Sequence, residues 1–312
     1  MDLLSDVVAL MRTGEPRSAR VAWHSPWAQR FPAVSGSAGF QVILQGGCFL
    51  LPPTGPPVAL SAGDVLFLPH GHGYTLADDP GTVPAEPDCD PAAEAELFAS
   101  AAAGDPRGPA TAVTLCGGYR LDPGRAHPLL AGLPELVHLP ARPGHRPDLR
   151  AAVELLAGEV ERPRPGADTV VTALLDMLLL LVLRAWFEDR PADGPATGWA
   201  AALADPAVGA ALHAVHRDPA HPWTVESLGA RAGLSRAAFA RRFAALVGRP
   251  PLGYLTWWRM TVAARLLTES DAPLGVVAAK VGYGSEFAFA NAFKRERGIA
   301  PGAFRRQSAP AG

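Results

Sequence analysis

The residue best placed to do chemistry is Arg241. It shares a helix-spaced face with Ala237, Ala240 and Ala244, while Phe239, Phe243 and Leu246 form an apolar stripe opposite. Small residues on the outer face let a helix backbone enter a major groove about 12 Å wide, where a guanidinium reaches guanine O6 and N7. The elements that must position Arg241 are legible around it. Thr224 is an N-cap residue with Glu226 in the turn that follows, and Val225, Leu228 and Ala232 share one face of a first helix. Gly233 is placed to take the left-handed conformation that ends this helix, Leu234 to fill the angle behind it, and Ser235 to cap the second helix.

The arrangement occurs twice. A shift of 49 puts Leu228 on Val277, Gly233 on Gly282 and Leu234 on Tyr283. A shift of 50 then puts Phe239 on Phe289, Phe243 on Phe293, Gly248 on Gly298, Pro251 on Pro301 and Tyr254 on Phe304, so the second turn holds one extra residue. Chance does not keep such a pattern in register twice, and an ordinary solvated helical hairpin accounts for neither the repeat nor the charge. Residues 213–312 carry 14 Lys or Arg against 6 Asp or Glu, whereas residues 1–212 carry 14 against 24. The net charge of −2 therefore hides a basic module joined to an acidic one, the footprint of phosphate binding.

Residues 223–243, Gly248 to Tyr254, Arg259-Met260, 264–267, 281–286 and 293–305 resemble the DNA-binding domain of the AraC/XylS family of transcription regulators. The resemblance covers residues 208–306, about a third of the chain. It implies seven helices forming two helix-turn-helix units, joined by a rigid helix over 252–270, with both recognition helices in successive major grooves about 34 Å apart. Ser235, Arg236, Ala237, Ala240, Arg241 and Arg242 then fall on the first recognition helix. Ser285, Glu286, Phe287, Ala288, Ala290, Asn291, Lys294 and Arg295 fall on the second. Arg241 is the strong reader of the first. In the second, Asn291 could read adenine; Glu286 could accept from cytosine N4 or, repelled by phosphate, face solvent. Arg236, Arg242, Lys294 and Arg295 are expected to grip phosphates, which position without specifying.

The first half reads differently. After a short helix over 3–12, strand-like runs at 20–23, 40–44, 48–51, 58–60, 65–68 and 111–116 alternate with Gly and Pro clusters, predicting a small antiparallel barrel. Residues 80–110 read as an acidic loop, 149–161 and 168–189 as helices, and 191–198 as linker. The run from Gly63-Asp64 through Pro69, His70, Gly71 and His72 resembles a cupin strand motif. Residues 40–46, 116–119 and 127–130 resemble the cupin-like sensor of some AraC-type regulators. Gln41 and Tyr74 stand where metal-binding cupins carry ligands. His70 and His72 would share a face on a strand and chelate a metal, or lie at the surface in a loop. Without further ligands no metal or other cofactor is expected. Gln41, His70, His72 and Tyr74 remain candidates for binding a small-molecule effector.

Cys48, Cys89 and Cys116 are few, odd in number and far apart, which fits a reducing cytosol without disulfides. Cys89, in the acidic loop, is expected to be exposed; its neighbours Asp88 and Asp90 disfavour a reactive thiolate. No basic, apolar leader opens the chain, and the apolar run 170–187 is interrupted by Thr172, Asp176 and Arg184, so neither signal peptide nor membrane span is expected. Two domains are expected in an α+β chain: 1–190, a cupin-like antiparallel β-barrel with flanking helices for sensing and dimerisation; 191–207, a linker; and 208–307, an all-α double helix-turn-helix domain. The helix over 168–189, with Leu174, Leu175, Leu178, Leu179, Leu181, Val182 and Leu183 on more than one face, is expected to contribute to a homodimer. The reading is a cytoplasmic, nucleoid-associated, non-enzymatic regulator binding promoter or operator duplex, with an unidentified effector and RNA polymerase as further partners. The competing reading is a metal-dependent cupin enzyme fused to a DNA-binding module.

Overall fold

The structure is a computed structural model that describes residues 3–11, 16–89, 98–104, 107–120, 127–189 and 198–308. The chain divides into two compact units, one of sheet and two helices (Arg12–Pro123 and Leu133–Arg190), the other helical (Met1–Met11, Gly124–Gly132 and Pro191–Gly312).

The sheet unit contains β1 (Arg17–His24), β2 (Ala28–Phe31), β3 (Ser37–Leu51), β4 (Val58–Ser61), β5 (Val65–Leu68), β6 (Tyr74–Ala77), β7 (Phe98–Gly104), β8 (Ala112–Arg120) and β9 (Val137–Leu139). These nine strands form one sheet with the path β2-β6-β3-β8-β1-β7; β4 and β5 also pair with β3, and β9 pairs with β5. The two runs expected at 40–44 and 48–51 are one strand, β3. Its first half pairs with β5 and its second with β4 and β6, so the sheet curls over itself. One apolar core gathers Val21, Trp23, Trp27, Phe31, Ile43, Cys48, Leu50, Leu66 and Leu76, while Phe40, Val42, Phe67 and Tyr119 are buried outside it. Inside it the Trp23 indole donates to Thr114 Oγ1 at 2.9 Å, which satisfies two polar groups far from water.

The sheet unit departs from expectation at three points. The sheet is not wholly antiparallel, because β7 runs parallel to β1, Ser18 facing Phe98 and His24 facing Gly104. Residues 98–104 were expected within an acidic loop. They carry no alternation of apolar and polar residues, and β7 is an edge strand held by main-chain pairing, which its Ala-rich composition does not advertise. Cys89 is also not an exposed loop thiol. It is half-buried against the core, and its amide donates to the Arg30 carbonyl at 2.9 Å. Residues 90–97 and 105–106 of that expected loop and 191–197 of the expected linker lie outside the described residues.

α3 (Pro147–Glu161) and α4 (Ala167–Glu188) pack together and onto the sheet. Arg20 of β1 bridges to Glu161 at 3.2 Å, and the Tyr119 hydroxyl of β8 donates to the Leu175 carbonyl at 2.7 Å. α4 is long and apolar enough to cross a membrane by length and composition, and 44% of its most apolar window is packed inside the protein. Leu175, Leu178, Leu179, Leu181, Val182 and Leu183 are buried within the chain, whereas Leu174 is half-buried. The apolar face left over is Val170, Ala173 and Met177.

The helical unit comprises α1 (Leu3–Met11), α2 (Pro128–Ala131), α5 (Trp199–Ala204), α6 (Pro206–Arg217), α7 (Val225–Arg231), α8 (Arg236–Val247), α9 (Pro251–Glu269), α10 (Leu274–Lys280), α11 (Glu286–Arg297) and α12 (Pro301–Ser308). Its extent differs from the expected division at 190 and 207. Residues 198–204 of the expected linker are ordered by α5, and the segments around α1 and α2 cluster with these helices. The reason is a buried polar chain. His127 caps α2 through Nδ1, which accepts from the Leu129 amide at 3.0 Å, so its proton sits on Nε2 facing the Tyr254 hydroxyl at 3.1 Å. Tyr254 therefore donates to His216 Nε2 at 2.6 Å, which leaves the His216 proton on Nδ1, 3.6 Å from the Asp6 carboxylate. The rings of Trp199, Trp257 and Trp258 enclose His127, and His216 stacks on Trp258 at 3.5 Å.

At the other end of α6 from His216, Asp205 caps the helix by accepting from the Ala207 and Val208 amides at 3.0 and 2.9 Å, and takes Arg242 Nε at 2.6 Å on its other oxygen. Burial pushes this carboxyl up, but the bonds from Val208, Arg242 and Ala207 outweigh it and hold the group below its ordinary range.

Burial, followed for His127 by the charges of His216 and Arg249, holds both imidazoles neutral below their ordinary value of 6.5. Above that pH their packing is fully stabilising. Below it the unfolded chain takes up protons that the folded one refuses, so stability falls with pH. The thermal midpoint is expected to drop between pH 7 and pH 5, and to drop less in His127→Gln; an equal drop in both proteins would show that His127 is not responsible. Asp205→Ala is expected to cost about 1 kcal/mol more than Asp205→Asn in denaturant titration, because Asn keeps a capping oxygen and Ala does not.

Candidate nucleic-acid interface

The two repeats fold as two copies of one helix pair. In α7, Thr224 Oγ1 accepts from the Ser227 amide at 3.0 Å and Ser227 Oγ accepts from the Thr224 amide at 2.9 Å, a reciprocal cap that fixes where the helix begins. Gly233 ends the first pair's turn at φ 65° and Gly282 the second's at φ 79°, the left-handed region where a side chain is disfavoured. Ser235 then caps α8 by accepting from Ala238 at 3.4 Å, and Ser285 caps α11 by accepting from Ala288 at 3.2 Å. Inside, Phe239 and Phe243 are fully buried, as are their repeats Phe289 and Phe293. Phe243 meets Tyr254 at 5.9 Å and Phe293 meets Phe304 at 5.4 Å, so the 50-residue shift is kept in the packing itself.

With the Phe stripe inward, the opposite faces of α8 and α11 are directed outward. On α8, Arg236, Ala237, Arg241 and Arg242 are exposed and Ala240 is half-buried. On α11, Glu286, Phe287, Ala288, Asn291, Lys294 and Arg295 are exposed and Ala290 is half-buried. Phe287 is the extreme case: 78% of this large apolar side chain faces solvent, one helical turn from Asn291. Among the described residues, Arg241, Lys294 and Arg295 have no carboxylate within ion-pair distance. Arg242 differs. Its guanidinium lies on Asp205, so the cation expected to grip phosphate already joins α8 to the start of α6. Sequence reasoning missed this pair because 37 residues separate its members. The only local signal was Asp205-Pro206, an N-cap residue followed by Pro at the first helical position.

The candidates in the sheet unit divide into two pairs. Gln41 and Tyr74 come together: the Gln41 amide donates to the Tyr74 hydroxyl at 2.8 Å, and Gln41 Oε1, fully buried, has no hydrogen-bond partner among the described residues. Burial pushes the Tyr74 phenol well above its ordinary range. His70 and His72 lie instead in the loop between β5 and β6, where His70 Nε2 faces the Leu133 carbonyl at 3.0 Å and His72 is exposed. These residues do not fit a metal. Among the described residues no three His, Cys, Asp or Glu side chains gather to hold one. Two of the thiols are buried away from reagents: burial, with Asp64 nearby, pushes Cys48 up to about 12, and Cys116 lies with its Sγ 3.4 Å from the Ala19 carbonyl.

Residues 2–188 match a family model described as Cupin, and residues 228–307 match one described as Helix-turn-helix domain. A Streptomyces antibioticus protein named as a putative AraC-like transcription regulator is 37% identical, over 99% of this chain and 100% of its own length. A Streptomyces lividans protein of the same name is 38% identical, over 98% of each. Among solved structures, the DNA-binding domain of AdpA, a global transcriptional factor, in complex with a target DNA, is 37% identical. That likeness covers 35% of this chain and 99% of that one, with a TM-score of 0.32. The chain thus belongs to the AraC-like family of transcription regulators, DNA-binding proteins built here from a cupin domain followed by a helix-turn-helix domain.

Proposed function

We propose that this regulator reads one face of a promoter or operator duplex with α8 and α11 in successive major grooves. The observation that carries the reading is the paired outward face: small residues, one amide or guanidinium able to read a base edge, and flanking cations, repeated on two helices. Arg241 takes a guanine, Asn291 an adenine, and Phe287 packs on a thymine methyl, an apolar contact that gives its exposure a purpose. Ala237, Ala240, Ala288 and Ala290 admit the backbone, and Glu286 accepts from cytosine or stays in solvent. Ser235 and Ser285 present the amides of the helix starts, and Arg236, Lys294 and Arg295 hold phosphates. Arg242 contributes through Asp205 instead, by holding α8 in place.

The sheet unit is the sensor. Gln41 offers an unpaired buried amide end beside Tyr74 and an apolar core, which suits a neutral effector rather than an ion. The protein acts without catalysis, in the cytoplasm on the nucleoid, with RNA polymerase as its downstream partner. A homodimer forms through the sheet unit, since Val170, Ala173 and Met177 leave an apolar stripe on α4 with Leu155 exposed on α3.

Selection of full-length protein on a pool of randomised duplexes identifies the bases read. Arg241→Ala is then expected to cost about 1–3 kcal/mol on the selected site and relax preference at one base pair, and Asn291→Ala to do the same in the other block. A uniform loss across sequences would remove both residues from base reading. For the dimer, sedimentation of the full-length protein at micromolar concentration is expected to give two subunits, and the double variant Val170→Glu, Met177→Glu one. A wild-type monomer that still binds DNA tightly would sink the dimer.

A further inference from the structure

We propose that Arg259 sets the separation of the two recognition helices, and so the distance between base blocks that the protein accepts. The inference rests on the reading that α8 and α11 enter successive major grooves. Arg259 stands midway along α9, the helix between the two motifs. Its Nε donates to the Pro219 carbonyl at 2.6 Å and its Nη2 to the His221 carbonyl at 2.8 Å, with the Ala220 carbonyl at 3.5 Å. Residues 219–221 lie between α6 and α7 and lead into the first motif. The same guanidinium lies 5.8 Å from the centre of the Tyr283 ring, within cation–π range, and Tyr283 belongs to the turn of the second motif.

The two motifs also approach each other directly at this point. Gly282 has φ 79°, and a Cβ there would stand 2.6 Å from the Ala220 carbonyl oxygen and 2.8 Å from Arg259 Nη2. Backbone from one motif's turn is therefore set against backbone leading into the other, with the guanidinium wedged between them. Among the described residues the most extensive packing that joins the motifs runs through α9, and helices of that length bend. A planar fork fixes direction as well as distance, because its donors cannot swing independently, and bonds from a charged donor to neutral carbonyls are stronger than neutral ones. Lys would keep the charge and lose the fork. The guanidinium is half-buried and faces carbonyls and an aromatic ring, so its bonding is directed at geometry and leaves little of it for phosphate.

The test is selection of full-length protein on duplexes with about 24 randomised base pairs, followed by sequencing. Wild type is expected to recover two base blocks at one separation, about ten base pairs. Arg259→Ala is expected to recover both blocks at several separations. Its affinity for the wild-type optimum should fall about fivefold, while duplexes with one base pair inserted or removed between the blocks lose less than twofold relative to wild type. Arg259→Gln keeps a planar amide able to hold one carbonyl. It should give an intermediate spread, and it decides the matter if the Ala variant does not fold. Recovery of the single wild-type separation by a folded variant would overturn the role of Arg259 alone. Recovery of one block or none by wild type would overturn the two-groove reading, and this inference with it.

Discussion

The helical unit depends on α9 being buried on almost every side. Tyr254, Leu255, Trp257, Trp258, Met260, Thr261, Ala263, Ala264 and Leu267 all lie inside, so a single 19-residue helix is the common wall of both DNA-reading motifs. Its first half meets Phe243 of α8, and its second half packs with Val277, Phe289 and Phe293 of the second motif. A helix apolar on one stripe could serve only one neighbour. Because α9 is apolar nearly all round, each motif is bound to it over a different face, and the repeat becomes one body with two outward surfaces.

Burying so much of one helix creates a polar problem at Tyr254, whose hydroxyl has no route to water. The solution is a directed chain in which His127 donates to it and it donates to His216. Each ring nitrogen then has a forced protonation state, and the depressed basicity of both imidazoles follows from the same burial. The chain also explains why segments from the early part of the sequence belong with the helices. Asp6 and His127 supply groups that α9 could not obtain from its own neighbourhood.

The sheet unit solves the opposite problem. A cupin framework needs a filled or liganded interior, and here aromatic stacking fills it: Trp23 on Trp27 at 4.4 Å, Phe31 on Tyr74 at 4.8 Å. Gln41 and Tyr74, joined by their hydrogen bond, bring no carboxylate or imidazole into that interior. Among the described residues Gln41 Oε1 is left without a partner there, as are Trp27 Nε1 and Ser18 Oγ, and an unpaired buried polar group has a cost that a neutral molecule satisfying it would relieve.

The sequence by itself determined the two helix pairs, their caps and their outward faces, because each rests on residues within one or two turns of one another. Thr224 with Ser227, Ser235 with Ala238, and Phe239 with Phe243 are local contacts whose spacing is set by the helix period. The same holds for β5, whose apolar run and Gly63-Asp64 turn are contiguous. Only the tertiary structure decided the rest. β7 has no side-chain pattern and exists because β1 offers an edge to pair with. His70 and His72 read equally as strand or loop until the bend after β5 placed them in a loop. Arg242 read as a phosphate cation until Asp205 was brought to it, and Arg259 as one more helix residue until three carbonyls converged on its guanidinium. Periodicity reports which face of an element turns inward; it carries no information on which distant backbone will be waiting there.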